Sequence, residues 1–277
     1  MPGRARHDSL LCPLSPARDN LPMRFDVLTL FPELFAPFLA SGVTRRAYES
    51  KLVDVRLWNP RDYAEGNYKR VDDRPFGGGP GMVMLAEPLA RCLAAVRADR
   101  GDTAPLVLFS PTGARLDHAA VEGWSAGPGA ILLCGRYEGI DQRFIDAHVD
   151  VEISLGDFVL SGGEIAAMAL LDAVARLQRG VLNDEGSHAA DSFNPAIDGL
   201  LDCPHYTRPE EWNGQRVPAP LLSGHHAQIE RWRRDRRLEA TARLRPDLLA
   251  TARAAGLLTA PDEAFLAALP PAGPAGL

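Results

Sequence analysis

The sequence predicts an α/β fold: a mostly parallel sheet flanked by helices, followed by a small all-helical C-terminal domain. Three observations carry this prediction. Short apolar runs of β type recur up to about residue 182 and alternate with helical stretches. The runs end in Gly, Pro and Ser, the residues of turns. After a polar stretch the β pattern gives way to an Arg-rich helical one.

The elements follow in chain order. Residues 25–30 alternate and then run apolar, as a buried strand does. Phe31-Pro-Glu-Leu-Phe opens a helix with Pro32 in its first turn. Residues 53–58 form a second strand, Gly77-Gly-Gly-Pro-Gly a loop, and Ala86 to Ala98 a helix. Leu106-Val-Leu-Phe is a strand stopped by Ser110-Pro-Thr-Gly, and Ala130-Ile-Leu-Leu-Cys another stopped by Gly135. Glu164 to Gln178 has no Gly or Pro, and its apolar positions wrap more than one face. Such a helix is either buried in a core or used as a dimer contact. Residues 183–200 are polar and are expected to link the two domains, 23–182 and 201–277. The helical pattern of 225–255 follows, and the chain ends on a Pro- and Gly-rich tail.

Composition narrows the function. Of 277 residues, 46% are hydrophobic and 24% charged, a globular balance that excludes a wholly disordered chain. The longest apolar stretches, such as Ile165 to Leu171, fall far short of the roughly 20 residues that span a bilayer. A cytoplasmic protein with no membrane partner is expected. Residues 1–22 contain no apolar core of a signal peptide, and are expected to be a disordered extension or the product of a start placed too early. None of Cys12, Cys92, Cys134 and Cys203 forms a CxxC pair, so no structural zinc site is indicated. The net charge of −6 weighs against a protein that coats nucleic acid through bulk charge, but it is unevenly spread. From Leu200 onward ten Arg face nine Asp and Glu, giving +1 and leaving −7 for residues 1–199.

Three glycine-rich segments follow apolar runs: Phe76-Gly-Gly-Gly-Pro-Gly, Cys134-Gly-Arg-Tyr-Glu-Gly, and Ser154-Leu-Gly-Asp-Phe-Val-Leu-Ser-Gly-Gly-Glu. Loops at the carboxyl ends of parallel strands are where open α/β sheets bind ligands, and glycine lets the backbone approach closely. Neither GxxxxGK[ST] nor GxGxxG is present, so the loops suit a cofactor read mainly by backbone groups rather than a Walker or dinucleotide site.

These segments, with Val71-Asp-Asp-Arg-Pro-Phe and Gly199-Leu-Leu-Asp-Cys-Pro-His-Tyr-Thr-Arg-Pro, resemble the bacterial tRNA (guanine-N1)-methyltransferases, the TrmD family of the SPOUT superfamily. The resemblance runs from Met23 to about Leu249. The family often has Tyr in place of Phe158, and Leu-Pro in place of Ile165-Ala166. The resemblance implies a deep trefoil knot, which no sequence pattern would suggest. It also implies a homodimer whose active sites are shared between subunits, a tRNA substrate rather than DNA, and S-adenosyl-L-methionine as methyl donor. By motif position the cofactor-binding residues are Leu108, Phe109, Gly135, Tyr137, Glu138, Ser154, Leu155, Gly156, Phe158, Leu160, Gly162 and Gly163. The family also needs a divalent ion, usually Mg2+, for which the sequence offers no ligand cluster.

Methylation at N1 of guanine requires a base for the N1 proton and a cation for the charge that spreads to O6. The resemblance assigns these roles to Asp191 and Arg176, with the target being the guanine immediately 3′ of the anticodon. Read without it, Asp191 is a cap or solvated linker residue, and Arg176 is the i+4 partner of Asp172 on a helix. A knotted RNA-binding protein that has lost the chemistry is the alternative function. Between Arg231 and Arg245, seven Arg against Asp235 and Glu239 make a local +5, which either meets phosphate or simply solvates a helix face. Trp232 lies among them, either packed or stacking on a base. Residues 202–209, with His205, Tyr206 and Arg208, approach the anticodon loop by family position.

Overall fold

The structure is a computed structural model, and it describes residues 23–183 and 188–270. The extension before Met23, Cys12 and the last seven residues lie outside the described residues. The chain forms two compact units, divided between Asn183 and Asp184.

The first unit is built on β1 (Met23–Leu28), α1 (Phe35–Leu39), α2 (Arg45–Glu49), β2 (Val53–Trp58), β3 (Asp72–Asp73), β4 (Val83–Met84), α3 (Ala86–Arg100), β5 (Leu106–Arg115), α4 (His118–Ala126), β6 (Gly129–Leu133), α5 (Gln142–His148), β7 (Val151–Ser154) and α6 (Glu164–Arg176). Five strands form one parallel sheet in the order β2-β1-β6-β5-β7, and β3 pairs with β4 in a short antiparallel ribbon. Both faces of the sheet are covered, which is why the central strand β6 is buried along its whole length, whereas β2 at the sheet edge alternates. Along β6, Ala130 and Leu132 enter one core, while Ile131 and Leu133 enter the other. α3 buries Leu89, Cys92, Leu93 and Val96, one stripe at helical spacing, and ends on Gly101 at φ 69°. α6 packs Leu170, Leu171 and Val174 into the first core, whereas Ile165 stays exposed.

Two expectations need correcting. Ser110-Pro-Thr-Gly does not stop β5. The strand continues to Arg115 through a shift in register between Phe109 and Ala114. That irregularity accommodates Pro111, and Gly113 fits because a Cβ there would lie 2.5 Å from the Glu152 carbonyl carbon. The helix after Phe31 begins as a 3-10 turn, Pro32–Leu34, before α1.

One buried carboxylate braces the sheet. Asp26 in β1 is 0% exposed and accepts hydrogen bonds from Arg24, from Trp58 Nε1 at 2.7 Å and from Arg100 Nη1 at 2.7 Å. The Arg100 side chain is itself 1% exposed. Removing Asp26 takes away the buried carboxylate of this cluster and leaves Arg100 with the half-exposed Asp102, which it meets at 2.8 Å. Asp26→Ala is therefore expected to destabilise the first unit by about 3–5 kcal/mol, read by chemical denaturation. A loss below about 1 kcal/mol would mean that Asp102 is sufficient to balance Arg100.

The second unit comprises β8 (Glu211–Trp212), β9 (Gln215–Arg216), α7 (Ala219–Leu222), α8 (His226–Leu244), α9 (Pro246–Ala254) and α10 (Ala260–Ala267). It is helical except for the β8–β9 hairpin, a pairing of two residues a side that the sequence pattern did not reveal. Residues 188–200, within the stretch expected to be a linker, fold as part of this unit: Leu200 is fully buried with Leu238, Leu249 and Ala252.

The arginines of α8 hold this unit together. Arg231 bonds Asp235 and Asp262, Arg234 bonds Asp198 and Asp262, and Arg237 bonds Asp202. Arg233, Arg236 and Arg245 pair with Glu230, Glu239 and Asp247. Six of the seven arginines behind the local +5 thus have carboxylate partners, and among the described residues Arg243 has no ion-pair partner. The stripe is mainly a brace rather than a bare cationic face.

Asp262 is the hub of that brace. It caps α10 through a capping box with Thr259. Burial opposes its charge, but Arg234, Thr259 and Arg231 outweigh burial and hold its carboxyl well below the usual range. A depressed carboxyl stabilises the folded state above its unfolded pKa, and that contribution fades as pH falls through the folded value. The helical unit is expected to lose stability steadily below about pH 4, and Asp262→Asn to flatten that dependence in thermal melts taken across pH. An unchanged pH profile in the variant would remove Asp262 from the brace.

Candidate active site and cofactor pocket

The middle of β5, where its register shifts, and the loops that leave β6 and β7 enclose a cavity of about 270 Å³. All twelve residues expected to bind the cofactor line it. Leu108 and Phe109 end the apolar part of β5. Gly135, Tyr137 and Glu138 follow β6. Ser154 to Gly163 follow β7 and lead into α6. The sequence reading missed Arg136, Ser110, Pro111, Ile140 and Ile153, which also line the cavity. Ser110, Arg136 and Ile153 each stand beside a residue that was expected to bind, in the same strand or loop.

Local geometry explains the residue types. Ser154 Oγ accepts from Gly156 N–H at 3.1 Å and donates to Gly156 O at 3.2 Å, closing a tight turn. Gly156 sits at φ 148°, a conformation that L side chains rarely adopt. Gly163 N–H donates to Gly135 O at 3.0 Å, so the loop after β7 is stitched to the loop after β6. Tyr137 takes φ 61°, and Arg61 donates to its hydroxyl at 3.3 Å. Burial, together with the nearby Asp72 charge, raises its pKa.

Of the three glycine loops, two line the cavity and the Gly77–Gly81 loop does not. Its end acts from behind. Glu138 N–H donates to Met82 O at 3.0 Å, and Met84 N–H donates to Gly139 O at 2.9 Å. A Cβ on Gly81 would collide with the Glu138 side chain. The loop therefore braces the turn that carries Glu138.

Arg136 and Glu138 are the charged residues of the lining. Arg136 crosses to Glu164, with Nη2 at 2.9 Å from Oε2, and stacks over Phe31 at 4.4 Å from the ring centroid. Thr29 Oγ1 donates to the other oxygen of Glu164 at 2.9 Å. The site thus has apolar walls suited to a planar heterocycle, backbone polar groups at its turns, and a carboxylate for a cationic group.

The two expected catalytic residues fall in different units. Arg176 ends α6, half-buried, and Asp172 on the same helix accepts from Thr44 Oγ1 at 2.9 Å. Asp191 lies in a turn of the second unit, where its N–H donates to His188 O at 3.2 Å and its carbonyl accepts from Asn194 N–H at 3.2 Å. In the second unit Trp232 is half-buried, its ring centroid 6.0 Å from that of Tyr206 in an edge-on arrangement. His205 bonds Asp202 at 2.9 Å. Among the described residues, no cluster of His, Cys, Asp or Glu is arranged to hold a metal ion, and no helix is long and apolar enough to cross a membrane.

Comparison with known proteins bears on this geometry. The family profile described as tRNA (Guanine-1)-methyltransferase TrmD matches residues 23–251. A tRNA (guanine-N(1)-)-methyltransferase of Paracidovorax citrulli is 78% identical over 251 residues, covering 89% of this chain and 98% of its own length. Proteins of the same name from a Polaromonas species and Albidiferax ferrireducens are 75% and 71% identical, over 89% and 88% of this chain and 97% and 99% of their own. The matched span begins at Met23, where β1 begins, and takes in every loop of the cavity: this chain belongs to the TrmD family of tRNA (guanine-1)-methyltransferases.

Proposed function

We propose that this chain methylates N1 of the guanine immediately 3′ of the anticodon in tRNA, using S-adenosyl-L-methionine. The observation that carries the reading is the convergence of all twelve motif positions on one cavity, in a chain of this family. When bound, S-adenosyl-L-methionine supplies a methyl group held on a sulfonium. The chain's own residues do the rest. Leu108, Ile140 and Leu160 present apolar surface to the adenine, and loop backbone groups read its edge. Glu138 faces the cationic methionine part. Asp191 takes the N1 proton of guanine, which frees the ring nitrogen's lone pair. Arg176 stabilises the charge that develops on O6.

The same reading has the protein work in the cytoplasm, with a trefoil knot in domain 23–182 and tRNA contacts from 201–277. Methyl transfer depends on Mg2+, for which we assign no residues. The active form is a homodimer with shared sites, a reading supported by the large exposed apolar residues Phe158, Val159 and Ile165 around the loop that enters α6. Tritium transfer from labelled cofactor to bulk tRNA, with the product nucleoside identified, tests the reaction. Label at N1 of guanine is expected. Label elsewhere would overturn the substrate, and cofactor binding without transfer would favour the silent RNA-binding protein.

A further inference from the structure

We infer that Glu164 is a charge-compensating residue of the cavity: it cancels Arg136 there, so that a cationic ligand is tolerated. The inference rests on the reading that the cavity takes S-adenosyl-L-methionine. Arg136 is the cation among the lining residues, and its guanidinium is 2.9 Å from a carboxylate that is 1% exposed. Two geometric features suit a carboxylate at this position. Thr29 donates to it at 2.9 Å, and it occupies the first turn of α6, where the helix favours negative charge.

Gly162 makes the pair possible. A Cβ at Gly162 would lie 2.6 Å from Arg136 Cδ and 2.6 Å from Glu164 Oε2. The missing side chain is thus the passage through which the arginine reaches its partner. The ligand asymmetry supplies the functional consequence. S-adenosyl-L-methionine carries a positive sulfonium, whereas S-adenosylhomocysteine, left after the methyl has gone, is neutral at sulfur. An uncompensated guanidinium in the cavity repels the first and not the second. A pair that only held the loops together would treat the two alike.

Titration calorimetry on the full chain, with both ligands, separates these cases. Glu164→Gln is expected to lower the ratio of S-adenosyl-L-methionine to S-adenosylhomocysteine affinity about tenfold. Arg136→Gln, which leaves the carboxylate, is expected to shift the ratio the opposite way, and the double variant to restore it. Either single variant that folds carries the sign. Equal losses for both ligands, or failure of both single variants to fold, would overturn the proposal and leave a purely structural pair. A wild-type chain that binds neither ligand would instead overturn the cofactor reading itself.

Discussion

Asp191→Ala is expected to reduce single-turnover methyl transfer by about 10²–10⁴-fold while leaving S-adenosyl-L-methionine affinity within about twofold of wild type. The rate loss follows from guanine. Its N1 is protonated in the lactam, and the nitrogen has no pair to donate until that proton leaves. A positioned carboxylate supplies the acceptor, and general bases of this kind contribute roughly 10²–10⁴ in rate. The unchanged affinity follows from the fold. Every cofactor-lining residue belongs to the first unit, and Asp191 belongs to the second. Asp191 also sits in a turn fixed by backbone hydrogen bonds, His188 O to Asp191 N–H and Asp191 O to Asn194 N–H, which alanine preserves. Rapid-quench kinetics and calorimetry measure the two quantities separately. Full turnover would remove Asp191 from the chemistry. A parallel collapse of cofactor affinity would show that the residue organises the site rather than serving as base.

What the sequence made legible depended on how local the cause was. β2 is recognisable because alternation within six residues decides it, and β6 because burial on both faces demands an unbroken apolar run. β7 escaped because Val-Glu-Ile-Ser is too short to carry a pattern. The extension of β5 escaped because Pro and Gly read as a stop, unless the register shift that accommodates them is known. The Arg stripe misled for the same reason. Asp198, Asp202 and Asp262 lie 36, 35 and 28 or 31 residues from the arginines they neutralise, and no local window can pair them. The cofactor residues came from contiguous motifs. Arg136 and Glu164 stand inside those motifs, but their pairing with each other and with Thr29 was hidden, because Thr29 and Glu164 meet across 135 residues.

Gly163→Ala is expected to weaken S-adenosyl-L-methionine binding by about 10–100-fold with α6 still folded. Backbone strain is not the cause, since Gly163 has φ −76° and ψ −8°, an ordinary helical conformation that alanine adopts freely. Gly163 is the N-cap of α6, and a side chain at this position has to find room beside β6. Space does not allow it. The new Cβ would lie 2.8 Å from Cys134 Cα, 3.2 Å from Gly135 N and 3.3 Å from Cys134 C, all backbone atoms at the buried end of β6. A flexible side chain could swing aside, but a central strand cannot, so the loop after β7 must lift. Lifting it breaks the 3.0 Å bond from Gly163 N–H to Gly135 O and opens the cavity between the two loops that line it. Overpacking of this kind costs typically 1–3 kcal/mol, which corresponds to the stated loss if it falls on the bound state. Gly180→Ala is the informative control. Gly180 has φ +80° with nothing within 4 Å, so its substitution strains the chain without touching the cavity. Calorimetry should therefore find cofactor affinity lost in Gly163→Ala and retained in Gly180→Ala, and equal losses in both would show that general destabilisation, rather than the Cys134 contact, governs the pocket.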